Sequence, residues 1–135
     1  MAITNTLQKC LESPYLFADA EAPGRVADLM AQARSRAEGA ARLLSGEKPD
    51  AVDVGALAHE AMFAAIRALV YAKGYRESGL RCLLLAAEGF YVRPGLLDGG
   101  HLLAYERVQG MKLPPAEAVE AARGLVERAG QLVES

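Results

Sequence analysis

The longest apolar stretch of the chain runs from Val54 to Ala72, interrupted only by Gly55, His59, Glu60 and Arg67. A helix built from it is apolar on nearly every side, so it belongs at the centre of a packed domain. Upstream, Val26, Leu29, Met30, Ala33, Ala37, Ala40 and Leu44 recur at the i, i+3, i+4, i+7 spacing of one helical face, which predicts a helix over 24–44. Arg25, Gln32, Ser35, Arg36 and Arg42 fall on its other faces, and Ser45-Gly46 is read as a left-handed stop. Ala33, Ala37, Gly39 and Ala40 are small enough to let this helix lie close to the central one.

The link between the two helices is short and offers Asp50 or Asp53 as N-cap, which makes them antiparallel neighbours. Lys73-Gly74-Tyr75 reads as a glycine-capped end to the central helix. After Ser78, a potential N-cap, Leu80, Leu83, Leu84, Ala87 and Tyr91 give a third helix its face, closed by Pro94-Gly95. A short helix is expected from His101 to Gln109. Pro114-Pro115 then opens a last helix with a stripe of Ala118, Ala121, Ala122, Leu125, Ala129 and Leu132. On its outer face Arg123 is flanked by Glu120 and Glu127, expected surface ion pairs.

The pattern therefore predicts an all-α fold, an antiparallel up-and-down bundle of about four main helices plus a short helix and an N-terminal arm. Residues 1–23 form the arm, with a possible short helix over 4–11, and residues 24–135 form the bundle. Tyr15, Leu16 and Phe17 are too apolar for a free tail, so the arm is expected to lie across the bundle or a second subunit.

Composition sharpens this picture. With 135 residues the chain fits one domain, and 52% hydrophobic content with only 6% aromatic gives a core of Ala, Leu and Val. A net charge of −2 argues against a surface built for duplex DNA. Cys10 and Cys82 form neither a CxxC nor a zinc spacing, and free thiols in a reducing cytoplasm are expected. No signal peptide is legible, and Arg67 divides the apolar run into pieces too short to span a bilayer, so a soluble cytoplasmic protein with no membrane contact is expected.

The run Ala58-His59-Glu60-Ala61-Met62-Phe63-Ala64-Ala65, then Ala68-Leu69, then Ala72-Lys73-Gly74-Tyr75-Arg76, resembles the central helix and glycine cap of the HEPN family. The Ala-rich helix closing the chain fits the same resemblance, which covers residues from Gly24 onward. HEPN domains are small helical bundles found in toxin–antitoxin pairs, beside minimal nucleotidyltransferases and in larger ribonucleases. The resemblance implies a homodimer, RNA or a nucleotide as ligand, and a nucleotidyltransferase partner. Active members are metal-independent ribonucleases with an Arg followed about four to six residues later by a His, the His moving a proton and the Arg stabilising phosphorane charge.

That pair is missing. Arg93 stands too far before His101, with Pro94, Gly95, Gly99 and Gly100 between them, and Lys112, Leu113 and Pro114 occupy the places where a His would follow Arg107. Leu80 stands where the family often has a His after the glycine cap. The reading therefore leans to a non-catalytic binding module, with His101, Arg93 and Arg107 as residual catalytic candidates, in cis or across a dimer.

For nucleotide or RNA binding the candidates are His59, Glu60 and Arg67 on the central helix, with Arg76 and Arg81 at the start of the next. Tyr75, Tyr91 and Tyr105 are available for stacking. Each has a plainer reading, as a polar strip or as ordinary surface arginines balanced by acids. No metal site is expected, since no second His follows His59 at helical spacing, and no cofactor is implied. Two other classes stay open, a ribonuclease with a non-standard or composite Arg/His site and a helical scaffold that binds only protein.

Overall fold

A computed structural model describes residues 6–134. Helices hold 71% of the described residues, so the fold is broadly all-α. In order, the elements are α1 (Leu7–Leu11), β1 (Leu16–Ala18), a 3-10 turn (Ala22–Arg25), α2 (Val26–Leu44), α3 (Ala51–Tyr71), β2 (Tyr75–Glu77), α4 (Leu80–Ala87), a π-turn (Glu88–Val92), α5 (Gly100–Gln109) and α6 (Pro115–Val133).

Helix α3 is the organising element. It packs against α2 and α6, and α4 and α5 cover further parts of its surface. At about 1.5 Å per residue it is roughly 31 Å long. Asp50 caps its N-terminus by accepting from the Val52 N–H at 2.8 Å and the Asp53 N–H at 3.3 Å. Met62, Ile66 and Leu69 are fully buried, and each such burial stabilises by about 1.5–3 kcal/mol. Contrary to the expectation that Arg67 leaves only short apolar pieces, α3 is long and apolar enough to cross a membrane, yet 61% of its most apolar window is buried inside this chain.

The expected face of α2 is the one buried, from Val26 through Ala40. Its end differs from expectation: Ser45 is right-handed and Gly46 does not take positive φ. The stop comes instead from the Ser45 hydroxyl, which donates to the Arg42 carbonyl, and from a tightened last turn. Gly74 does close α3 in the left-handed region, at φ +83°, a conformation costly to any residue with a Cβ. Pro115 occupies the first turn of α6, and Ala118, Ala122, Leu125 and Ala129 are buried as the stripe predicted. Arg123 pairs with neither Glu120 nor Glu127; its side chain lines an open groove between α2 and α6.

The N-terminal arm holds three features that periodicity does not show. Thr6 caps α1 by accepting from the Lys9 N–H at 3.2 Å; the expected start of that helix at Thr4 lies outside the described residues. Strand β1 pairs antiparallel with β2, matching Leu16 to Glu77, Phe17 to Arg76 and Ala18 to Tyr75. Ser78, expected to cap α4, is used to hold the arm: its N–H donates to the Tyr15 carbonyl and its hydroxyl to the Pro14 carbonyl. Gly79 stands at the cap instead.

The third feature corrects the expectation of two free thiols. Cys10 on α1 and Cys82 on α4 form a disulfide, with Cα atoms 5.5 Å apart across 72 residues of sequence. Two cysteines so distant carry no pairing signal in one dimension; the packing of α1 on α4 supplies it. Gly89 lies under the Leu7 side chain of α1, which would have to shift if a Cβ stood there.

Candidate functional site

Helix spacing sets the site. His59, Phe63, Arg67 and Tyr71 follow one another at i, i+4 along α3 and so share one face. Phe63 and Arg67 are half-buried on that face, and Tyr105 of α5 closes over it. The His59 and Tyr105 rings lie 5.1 Å apart, His59 and Phe63 6.2 Å, and Phe63 and Tyr105 6.5 Å, all within 29° of parallel. The Tyr105 hydroxyl is 2.9 Å from His59 Nε2. The three rings form an aligned platform in which Tyr105 is fully buried and half-buried His59 and Phe63 line the hollow beside it.

The charges around it are held in place. The Arg67 guanidinium lies 4.3 Å over the Phe63 ring, and its Nε donates to Glu77 Oε2 at 3.0 Å. The Glu77 carboxylate is only 5% exposed and also accepts from the Tyr71 hydroxyl at 2.9 Å. Across the cavity, Arg36 Nε donates to Glu60 Oε2 at 3.0 Å. The half-open hollow between them is about 180 Å³, walled by Gln32, Arg36, His59, Phe63 and Arg67. A second hollow of about 320 Å³ shares His59 and Glu60 and is lined by Val52, Val108 and Met111. Met111 has φ +58°, an uncommon conformation for a non-glycine residue.

Burial pushes the His59 imidazole below its ordinary pKa, with the Glu60 charge opposing. The ring is thus neutral at pH 7, able to accept or donate one hydrogen bond at each nitrogen. Burial also raises the Tyr105 phenol to about 12, the Arg67 charge pulling the other way. The platform carries no net charge of its own.

Among the residues singled out from sequence, His59, Glu60 and Arg67 come together. Arg76 lies on β2 and pairs with Asp19 at 3.6 Å. Arg81 lines a separate hollow between α4 and α5. Arg93 pairs with Glu88 at 3.8 Å, and Arg107 is exposed on α5. His101 is half-buried, its ring lying against Gly124 of α6, and no hydrogen bond joins it to Arg93 or Arg107.

Of the tyrosines proposed for stacking, Tyr105 is fully buried and leaves no free ring face, and Tyr91 too is committed to the core. Its hydroxyl donates to the Leu69 carbonyl at 2.5 Å, and burial pushes its pKa up to about 12. Tyr75 packs on Phe90 at 5.4 Å. Sequence reasoning missed Phe63, Tyr71, Arg36 and Glu77; the i, i+4 ladder was a legible signal for the first two, whereas Arg36 and Glu77 arrive from other elements. Among the described residues no group of His, Cys, Asp and Glu is arranged to hold a metal ion. No family model, curated protein or solved structure matches the chain.

Proposed function

We propose that this chain is a HEPN-like, non-catalytic binding module whose α3–α5 platform takes the base of a nucleotide or of single-stranded RNA. In this reading the helices form an antiparallel up-and-down bundle and the protein works in the cytoplasm as a homodimer beside a nucleotidyltransferase partner. The central apolar helix, its left-handed Gly74 cap and the closing Ala-rich helix support the family reading.

The observation that carries the ligand is the half-buried pair His59 and Phe63, aligned on the buried Tyr105 ring behind them, with a planar guanidinium over Phe63. Bases stack on such surfaces with little regard to sequence, each contact contributing about 1–3 kcal/mol. Arg36 and Arg67 are already paired with carboxylates, so few counterions leave on binding and affinity falls only weakly with salt.

The test is titration of the pure protein with AMP and with a short single-stranded RNA. Binding by the wild type and a roughly tenfold or greater loss in both Phe63→Ala and Arg67→Ala is expected. Saturable binding that neither substitution weakens would move the ligand elsewhere. The neutral His59 beside two guanidinium groups favours hydrolysis as a second reading. RNA cleavage in excess chelator that disappears in His59→Ala would establish it.

A further inference from the structure

We propose that the Cys10–Cys82 pair is a redox clasp that sets the N-terminal arm and, through the arm, the position of Arg67; its effect on ligand rests on the binding reading above. The contacts form a continuous path. Cys10 and Cys82 are buried and joined, tying α1 to α4. From α1 the chain leads into β1, which holds β2 in register. Strand β2 ends at Glu77, and that carboxylate fixes both Arg67 and Tyr71. Arg67 in turn covers the Phe63 ring of the platform.

Besides the disulfide, the start of this path is held by Leu7 against Gly89 and by the Ser78 bonds to Pro14 and Tyr15, all of them non-covalent. Helix α1 has five residues, far short of the length that is stable alone. The ribbon is two strands of three residues each, which is marginal by itself. Within residues 6–18 only Cys10 and Leu16 are buried. Cutting the covalent link therefore frees the arm before it disturbs the helices around α3.

The reaction is exchange with a dithiol reductant. One thiolate of the dithiol attacks a cystine sulfur, the S–S bond breaks, and the departing cysteine leaves as a thiolate that takes a proton. The dithiol's second sulfur then displaces the mixed disulfide, so the chain gains two electrons and two protons while the dithiol becomes a disulfide. Because both sulfurs are buried, attack proceeds through states in which α1 has lifted. A disulfide oxidant runs the same exchange in reverse. In a cytoplasm this places the pair among sensing disulfides rather than permanent ones.

The experiment uses the full ¹⁵N-labelled chain in oxidised glutathione and then in dithiothreitol, with the cystine state read by mass. Two readouts need no ligand: the Arg67 Nε–H resonance, assigned with Arg67→Lys, and the rate of tryptic cleavage after Lys9. On reduction the Arg67 signal is expected to move toward the free-guanidinium position and cleavage to accelerate at least about tenfold. The Cys10→Ala/Cys82→Ala variant should resemble the reduced chain in both buffers, and reduction of the wild type gives the same reading should that variant fail to fold. Failure to form the disulfide in oxidised glutathione overturns the proposal, as does a mass-verified reduced chain with both readouts unchanged. A chain that passes both readouts but binds neither AMP nor the short single-stranded RNA keeps the clasp and loses the binding reading.

Discussion

The core of α2, α3 and α6 and the assembly of arm, ribbon and α4 are held by different physics. In the core, small and branched side chains interlock along the length of three helices, and stability comes from many buried apolar contacts. In the arm, a disulfide, a three-pair ribbon and the Ser78 hydrogen bonds tie residues 6–18, which bury only Cys10 and Leu16, to β2 and α4. The candidate site lies between them: its rings come from α3 and α5, while the carboxylate that fixes its guanidinium comes from the ribbon. Rigidity of the platform is thus a property of the core, and placement of Arg67 a property of the arm.

The sharpest way to break this comparison is to damage each side separately. Leu69→Ala removes a fully buried side chain from α3 and is expected to cost about 3–5 kcal/mol, read as a lowered midpoint in denaturant for the whole chain. Reducing the disulfide opens a link spanning 72 residues and is expected to cost about 2–4 kcal/mol. Hydrogen exchange should show that loss first in α1 and β1, with α3 still protected. Equal loss of protection in α3 would mean that the arm and core form one cooperative unit.

Smaller perturbations sharpen the contrast. Asp50→Ala removes the cap of α3, exposed but attached to the core, and about 1 kcal/mol of stability should go with it. The smallest effect is a matter of pH. Burial lowers the folded-state pKa of His59 below its unfolded value near 6.5. Between those two values the unfolded chain binds more protons, so stability rises with pH. The His59 contribution is complete above the unfolded pKa, declines as pH falls through it, and levels off below the folded pKa. His59→Gln should flatten that part of the stability profile while preserving a hydrogen bond to Tyr105; an unchanged profile would assign the titration to another group.

Much of the helical frame was legible in one dimension because its signals are local. The face of α2, the Asp50 cap, the left-handed Gly74 and the Pro115 start each depend on residues within a few positions of one another. Half of the site was legible for the same reason, since His59, Glu60 and Arg67 occupy neighbouring turns of one helix. Ser78 shows the limit: its sequence neighbourhood suggests a helix cap, and the carbonyls of Pro14 and Tyr15, just before β1, claim it instead. Tyr91 shows it again, because an apparently available ring is spent on the Leu69 carbonyl.

By itself, the sequence determined that α3 would be a buried helix, that α2 and α6 would each present one apolar face, and where most helices begin and end. Only the tertiary structure decided that Cys10 meets Cys82, that β1 pairs with β2, and that Tyr105 and Glu77 complete the face begun by His59. The reason is the range of the forces involved. Periodic burial and capping are written in residues three or four apart, whereas a disulfide, a strand pair and a ring stack depend on which distant surfaces the packed helices bring within a few ångströms.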